Sequence, residues 1–217
     1  MQTYRSRTLD PTKILTRREL TAVLADLKRK ARRSPSTRLN LVIFRLACCC
    51  GLRASEIAQL QVADVRVELA RPHLAIRRGA ARGGQPRTVP LWWDGGTLAD
   101  LTAWIQERLR QGAGATEAFV ASNRPGRAAG RPLSRYTIRK RFRTACKVLG
   151  RERLALLTIH HGRHTFISHA LAGGRTLAEV RDAAGHSNVS ITSIYLHVAV
   201  EDDDVIGNLF GFVPSQQ

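Results

Sequence analysis

The residues that could do chemistry are concentrated in the segment 158–197, TIHHGRHTFISHALAGGRTLAEVRDAAGHSNVSITSIYLH. Six residues in it are mostly of types that are rarely buried without a partner. They are His160, His161, Arg163, His164, His186 and Tyr195. Far upstream, Arg53 in the sequence GLRASE could complete a cationic group. We interpret these residues as one site, in which a tyrosine hydroxyl attacks a DNA phosphate held by two arginines.

Cleavage of a phosphodiester requires cations on the non-bridging oxygens, a nucleophile at phosphorus and a proton for the leaving oxygen. Arginine binds such oxygens bidentately and keeps its charge. Tyrosine is an accepted covalent nucleophile, but its ordinary pKa near 10 calls for a base or for flanking positive charge. Because side chains supply the cations, we expect no cofactor and no metal, and the sequence has no acidic cluster suited to Mg²⁺.

Two simpler interpretations of these residues stay open. His160, His161, His164 and His169 could bind a metal ion, since residues 160 and 164 lie one helical turn apart, although no HExxH or paired-cysteine motif supports this. Tyr195 could be only a packed aromatic residue with a satisfied hydroxyl group.

The charge of the chain indicates a polyanionic partner. The formal net charge is +18, and 30 of the 35 basic residues are arginine. A basic host proteome could also produce this surplus, so its distribution matters. Residues 118–151 contain ten Lys and Arg and no Asp or Glu, whereas residues 201–204 are all acidic. This segregation favours a double-stranded DNA footprint.

Length and cysteine content indicate a cytoplasmic protein with one good-sized domain or two small ones. The 217 residues suffice to bury a core. Cys48, Cys49, Cys50 and Cys146 lack metal-binding spacing and are expected to be reduced core residues. The longest apolar run, 39–50, contains Arg45 and is too short to span a membrane.

Apolar periodicity and helix caps predict a mostly α fold with one small antiparallel β-sheet. Residues 1–12 are predicted to be a basic arm or linker. The predicted helices are 16–30, 37–50, 54–60, 96–111, 134–149, 158–173, 176–185, a short one from 187–188 that carries Tyr195, and 202–210; the predicted strands are 64–68, 73–78 and 87–91. The predicted core stripe of helix 96–111 is Leu98, Leu101, Trp104, Ile105 and Leu109.

The helix predicted over 134–149 has a basic outer face. This face comprises Arg135, Arg139, Lys140, Arg143 and Lys147. A basic amphipathic helix can be a solvated face or lie on a membrane surface. Because the helix lacks acidic partners one turn away and a bulky apolar flank, we favour binding to a DNA groove.

Four motifs, in this order and spacing, resemble the catalytic domain of the tyrosine recombinase (phage integrase) family. They are Gly51-Leu52-Arg53-Ala54-Ser55-Glu56, Val89-Pro90-Leu91 closing a glycine-rich hairpin, His160-x-x-Arg163-His164-Thr165, and Gly185-His186-Ser187 with Tyr195 nine residues further on. The resemblance covers about residue 12 to the C-terminus, so 13–217 is predicted to be the catalytic domain.

The resemblance implies a role for each matching residue. Arg53 and Arg163 would clamp the scissile phosphate, and His186 would donate a hydrogen bond to it. His160 would be the base or proton shuttle. Tyr195 would form a 3′-phosphotyrosyl link and free a 5′-hydroxyl. The implied function is site-specific recombination or integration of a mobile element by a homo-oligomer on DNA, with helix 202–210 exchanged between subunits, at the nucleoid of a prokaryote or in a phage system.

Two departures from the family pattern keep other functions open. The family usually has a lysine at the hairpin tip as general acid, and this position is Arg82, a poor proton donor. The family normally also has an N-terminal clamp domain, and since only about twelve residues precede the matched region here, we expect either a fragment or a minimal protein that grips DNA from one side. The alternatives are a catalytically silent DNA-binding paralogue and a type IB topoisomerase-like nicking-closing enzyme.

Overall fold

The computed structural model of the protein describes residues 10–77, 86–123, 126 and 129–196. The predicted mostly helical fold with a small antiparallel sheet is confirmed. Its elements are α1 (Arg17–Ala31), α2 (Pro35–Cys48), α3 (Ala54–Gln59), β1 (Val65–Arg66), β2 (His73–Ile76), β3 (Arg87–Pro90), α4 (Gly95–Arg110), α5 (Arg135–Ala145), α6 (Arg151–Leu156), α7 (Ile159–Ala172), α8 (Leu177–Ala184) and α9 (Val189–Ser193). The predicted helix 202–210 lies outside the described residues.

The sheet has the order β1-β2-β3, and both pairings are antiparallel. Its strands are shorter than predicted, because β1 pairs with β2 only through Val65 and Arg66. Leu74 and Val89 face each other in the register of β2 and β3, and both are fully buried. Ile76 pairs with Arg87, so Arg87 lies in the last strand pair before the segment that connects β2 to β3.

Several helices begin where their caps predict. The Thr16 hydroxyl accepts the Glu19 amide N–H, and the Glu19 carboxylate accepts that of Thr16 in return, a reciprocal capping box at α1. Ser134 caps α5 through the amide of Thr137. Helix α5 ends at Ala145, earlier than predicted, and a 3₁₀ turn over Cys146–Leu149 follows it.

Helix α2 lies at the centre of the core and packs against α1, α4, α5 and α7. Its residues 39–48 are all buried, and the four cysteines are buried and free. The predicted burial of Leu109 is wrong, since this side chain is 50% exposed. Arg108 is buried in its place, because segment 113–119 covers that side of α4 and its Ala118 carbonyl accepts the Arg108 Nε–H.

Two glycines let the end of α2 approach α7 closely. Gly51 follows α2 with φ +65°, and a Cβ atom there would lie 2.4 Å from Cδ1 of Phe166. Within α7, a Cβ atom at Gly162 would lie 3.0 Å from the backbone of Ala47. The left-handed φ and the short contact therefore favour glycine at position 51, and at position 162 any side chain would require Ala47 to shift. This approach brings Arg53, two residues after Gly51, next to Arg163 on α7.

No helix in the described part of the chain is both long enough and apolar enough to cross a membrane.

Candidate active site

Arg53 lies immediately before α3 in an extended conformation. The carboxylate of Glu56 accepts the backbone N–H of Arg53 at 2.7 Å and its Nη1–H at 3.1 Å. The Arg53 side chain remains 33% exposed, whereas that of Glu56 is 1% exposed. The buried carboxylate of Glu56 therefore fixes the position of Arg53, whose remaining guanidinium N–H donors stay accessible to solvent.

Arg163 lies on α7 and is buried, with 8% of its surface exposed. Its Nη1–H donates to the carbonyl of Gly51 at 2.9 Å, and its Nη2–H donates to the carbonyl of Ala184. These bonds connect the segment before α3 to the end of α8. Burial, and then the positive charges of Arg53 and Arg87, lower the pKa of the Arg163 guanidinium.

Three guanidinium groups surround a single carboxylate. Arg53 and Arg87 form ion pairs with Glu56, and Glu56 also acts electrostatically on Arg163. Burial opposes ionisation of Glu56, but hydrogen bonds from Arg87 and the backbone of Arg53 lower its pKa below the usual value. The cluster therefore carries an excess of positive charge, which an anion such as a phosphodiester would compensate.

His186 follows α8 directly. Gly185 ends that helix in the left-handed conformation with φ +67°, and the turn brings the His186 ring back towards the arginine cluster. Its Nδ1 lies 2.9 Å from the hydroxyl of Thr192. Burial, and then the charges of Arg163 and Arg53, lower the pKa of His186 to about 4. This ring is therefore neutral at pH 7.

Tyr195 follows α9 and is 4% exposed. A hydrogen bond of 2.6 Å joins its hydroxyl to Nδ1 of His164, and its ring centroid lies 6.5 Å from that of His186. Burial raises the pKa of Tyr195, and the nearby charge of Arg163 acts in the opposite direction. The phenol of Tyr195 is therefore buried in the site and protonated at neutral pH.

His160 lies in the first turn of α7 and is exposed. It does not contact the Tyr195 hydroxyl, whose partner is His164 on the next turn. Burial of part of its ring, and then the charges of Arg139 and Arg53, lower the pKa of His160. His160 therefore lies within electrostatic range of both the arginine cluster and Arg139 on α5. The five basic side chains predicted for its outer face are all exposed, with Arg135, Arg139, Lys140 and Arg143 on α5 and Lys147 on the 3₁₀ turn that follows it.

The structure brings most of the predicted site residues together. They are Arg53, His160, Arg163, His186 and Tyr195. Arg82 lies outside the described residues. Glu56, Arg87 and His164 contribute contacts that the sequence patterns did not assign. Within the described residues, no group of three His, Cys, Asp or Glu side chains could hold a metal ion.

These histidines predict a specific pH dependence of stability. The pKa values of His164 and His186 are each about 4 in the folded protein, against 6.5 ordinarily, with burial as the largest cause. Between pH 6.5 and 4 the unfolded chain binds more protons, so the free energy of unfolding should fall as the pH is lowered through this range. Urea unfolding at pH 7 and pH 5 would measure this, and His164→Asn should reduce the difference. Equal stability at both pH values would contradict the prediction.

The sequence of this chain is similar to sequences of known recombinases. A model of the phage integrase family matches residues 13–202. The tyrosine recombinase XerC of Corynebacterium efficiens is 31% identical over 163 residues, which are 75% of this chain and 47% of the relative. The chain thus spans about half the length of the curated relatives it matches.

Two solved structures show the same fold. The crystal structure of XerA recombinase superposes with a TM-score of 0.67 at 20% identity, covering 91% of this chain and 61% of the other. The XerH site-specific recombinase, bound to its palindromic difH substrate in a post-cleavage complex, gives a TM-score of 0.65 at 22% identity, with 88% and 51% covered. Because the family model spans most of the sequence and the fold agrees, this chain belongs to the phage integrase family of tyrosine recombinases.

Proposed function

We propose that this chain carries out the catalytic step of a site-specific DNA recombinase or integrase. The observation that carries the proposal is the juxtaposition of Tyr195 and His186 with an arginine cluster that has excess positive charge. Such a cluster suits the charge that accumulates on the non-bridging oxygens during attack at phosphorus. The XerH site-specific recombinase, captured with its difH substrate as a post-cleavage complex, supports cleavage of the bound substrate as the reaction.

In the proposed reaction the Tyr195 hydroxyl gives up its hydrogen bond with His164, and its oxygen forms a bond to phosphorus. The bond from phosphorus to the 5′-oxygen breaks, which gives a 3′-phosphotyrosyl link and a 5′-hydroxyl. Arg53 and Arg163 hold the phosphate, and His186 donates a hydrogen bond to it. His160 takes up or relays the phenol proton. Rejoining reverses these steps with a second 5′-hydroxyl, so no external energy source is required.

The leaving oxygen needs a proton as well. Arg82 occupies the position of the family lysine, and its guanidinium would stabilise negative charge there but donate a proton poorly. We therefore propose that water protonates the leaving oxygen and that cleavage is slow for the family.

A covalent adduct with DNA tests the function. A pool of duplexes with randomised sequence, each nicked in one strand, is incubated with the protein. Cleavage near the nick releases a short fragment that cannot rejoin, so the adduct accumulates and survives a denaturing gel. DNA binding without any adduct would support the silent DNA-binding alternative. Adduct formation with relaxation of supercoiled plasmid but no strand exchange would support the topoisomerase-like alternative.

We further propose that the exposed basic face of α5 binds the DNA backbone beside the site. Neutralising Arg139 and Lys140 to glutamine should lower affinity about tenfold, and should reduce the slope of log affinity against log salt by about 2. Fluorescence anisotropy between low and high salt measures both. The control is Arg29→Gln/Lys30→Gln on α1, where the same charge is removed from side chains paired with Asp26. Equal effects of the two double variants would contradict an α5 footprint.

The proposed partner is double-stranded DNA, bound by a homo-oligomer. The palindromic substrate of XerH supports this, because a two-fold symmetric site matches a two-fold symmetric protein. Exchange of segment 202–210 between subunits and a location at the nucleoid of a prokaryotic or phage-infected cell belong to the same proposal.

A further inference from the structure

Arg87, at the start of β3, uses its guanidinium to join two distant elements. Nη1 and Nη2 donate to the two carboxylate oxygens of Glu56 at 2.8 and 3.0 Å, and Nε donates to the carbonyl of Ala183 at 2.9 Å. The Arg87 side chain is only 6% exposed. A planar guanidinium can make these three bonds at once, whereas a lysine ammonium cannot reproduce their geometry.

Glu56 links Arg87 to Arg53, one of the two arginines proposed to hold the phosphate. The same carboxylate that receives both Nη groups of Arg87 also holds the backbone N–H and Nη1 of Arg53. Because this carboxylate is buried, its position depends on the ion pair that neutralises it. A shift of Arg87 would therefore move Glu56 and, with it, Arg53.

Through Ala183, Arg87 reaches the end of α8. The last carbonyls of this helix accept from two arginines, Ala183 from Arg87 and Ala184 from Arg163. Cations at these carbonyls also suit the helix dipole. At Gly185 a Cβ atom would lie 2.7 Å from Cδ of Arg87, so the chain folds directly over the arginine stem before it reaches His186.

We propose that Arg87 is a positioning residue for strand cleavage, which sets Arg53 through Glu56 and sets His186 through the end of α8 without itself touching DNA. This inference rests on the proposed function. Because displacement of catalytic groups by about 1 Å can cost a hundredfold in rate, the loss of Arg87 should appear in the cleavage step more than in DNA binding.

The hairpin offers a matched control for this test. Arg77, just after β2, also makes a bidentate ion pair, with Nε and Nη2 at 3.0 and 2.6 Å from the oxygens of Asp64. Asp64 accepts the backbone N–H of Gln61 at 2.8 Å, as Glu56 does for Arg53. The Arg77 side chain is 50% exposed and has no contact with the arginine cluster among the described hydrogen bonds and ion pairs.

The experiment compares Arg87→Lys with Arg77→Lys in single-turnover adduct formation on the nicked duplex selected from the pool. Arg87→Lys should lower the rate constant by about 10–100-fold and change the DNA Kd by less than about threefold. Arg77→Lys should change both by less than about threefold. Similar rates for the two variants, or a loss of Kd in Arg87→Lys that matches its loss of rate, would overturn the inference.

A second pair of variants covers the case in which Arg87→Lys fails to fold. Glu56→Gln/Arg87→Met and Asp64→Asn/Arg77→Met each remove both members of an ion pair, so that neither carboxylate is left buried without its arginine. The first should bind DNA but cleave more slowly than Arg87→Lys, and the second should cleave like the wild type. Cleavage by the first within about threefold of the wild type would refute the role of Arg87. If the wild type itself forms no adduct, the proposed function fails instead.

Discussion

Replacing Tyr195 with phenylalanine is expected to abolish the covalent adduct with DNA, a loss of at least about a thousandfold in cleavage rate. The substitution removes only the hydroxyl oxygen that would bond to phosphorus. The ring stays in its buried position between His164 and His186, at centroid distances of 5.7 and 6.5 Å. DNA affinity should therefore change less than about twofold. The adduct on a denaturing gel and the Kd from anisotropy measure the two quantities separately.

The cost in stability should be small. Tyr195→Phe removes one hydrogen bond, to Nδ1 of His164, which is worth about 1 kcal/mol. A control is Tyr136→Phe on α5, where the side chain is 75% exposed. This variant should still form the adduct. If Tyr195→Phe also forms it, another side chain is the nucleophile, and the proposed chemistry is wrong.

Local sequence signals are sufficient for most helices, because a cap and an apolar stripe are both short-range features. The boxes Thr16–Glu19 and Thr176–Glu179 begin α1 and α8 in the structure. Helix α6 is not predicted by these signals, since it has no side-chain cap and no buried residue. It is fixed by tertiary contacts instead: Arg153 binds Glu19 at 2.6 Å and the carbonyl of Ile14 at 2.7 Å.

In the site, too, local sequence spacing identifies some residues, whereas others depend on contacts between positions far apart in the sequence. The spacing of His160, Arg163 and His186 identifies residues that the fold does bring together. Their supporting partners depend on contacts between residues about thirty positions apart or more, such as Glu56 with Arg87 and His164 with Tyr195. No periodicity relates such positions, so the sequence places His164 in the site segment but does not identify Tyr195 as its partner. The burial predicted for Leu109 is wrong for a more local reason, because segment 113–119 lies against Arg108 and leaves Leu109 exposed.

The two clamp arginines are expected to respond alike in catalysis and differently in stability. Arg53→Gln and Arg163→Gln should each lower the cleavage rate by about 10²–10³-fold, because each removes a cation from the phosphate. Within the part of the chain that the structure describes, the Arg53 guanidinium bonds to Glu56 alone, and Glu56 keeps its bidentate pair with Arg87. Its loss should cost about 1 kcal/mol or less.

Arg163→Gln should instead lower the free energy of unfolding by about 2–4 kcal/mol. Its two donors satisfy the carbonyls of Gly51 and Ala184, and both bonds are buried. Urea unfolding of the two variants at pH 7 measures the difference, and Tm should fall by about 5–10 °C for Arg163→Gln alone. Equal loss of stability would mean that the Arg163 bonds do not hold α8 against α7. In that case the position of His186 would have to be set by Arg87 and Thr192, without help from the second clamp arginine.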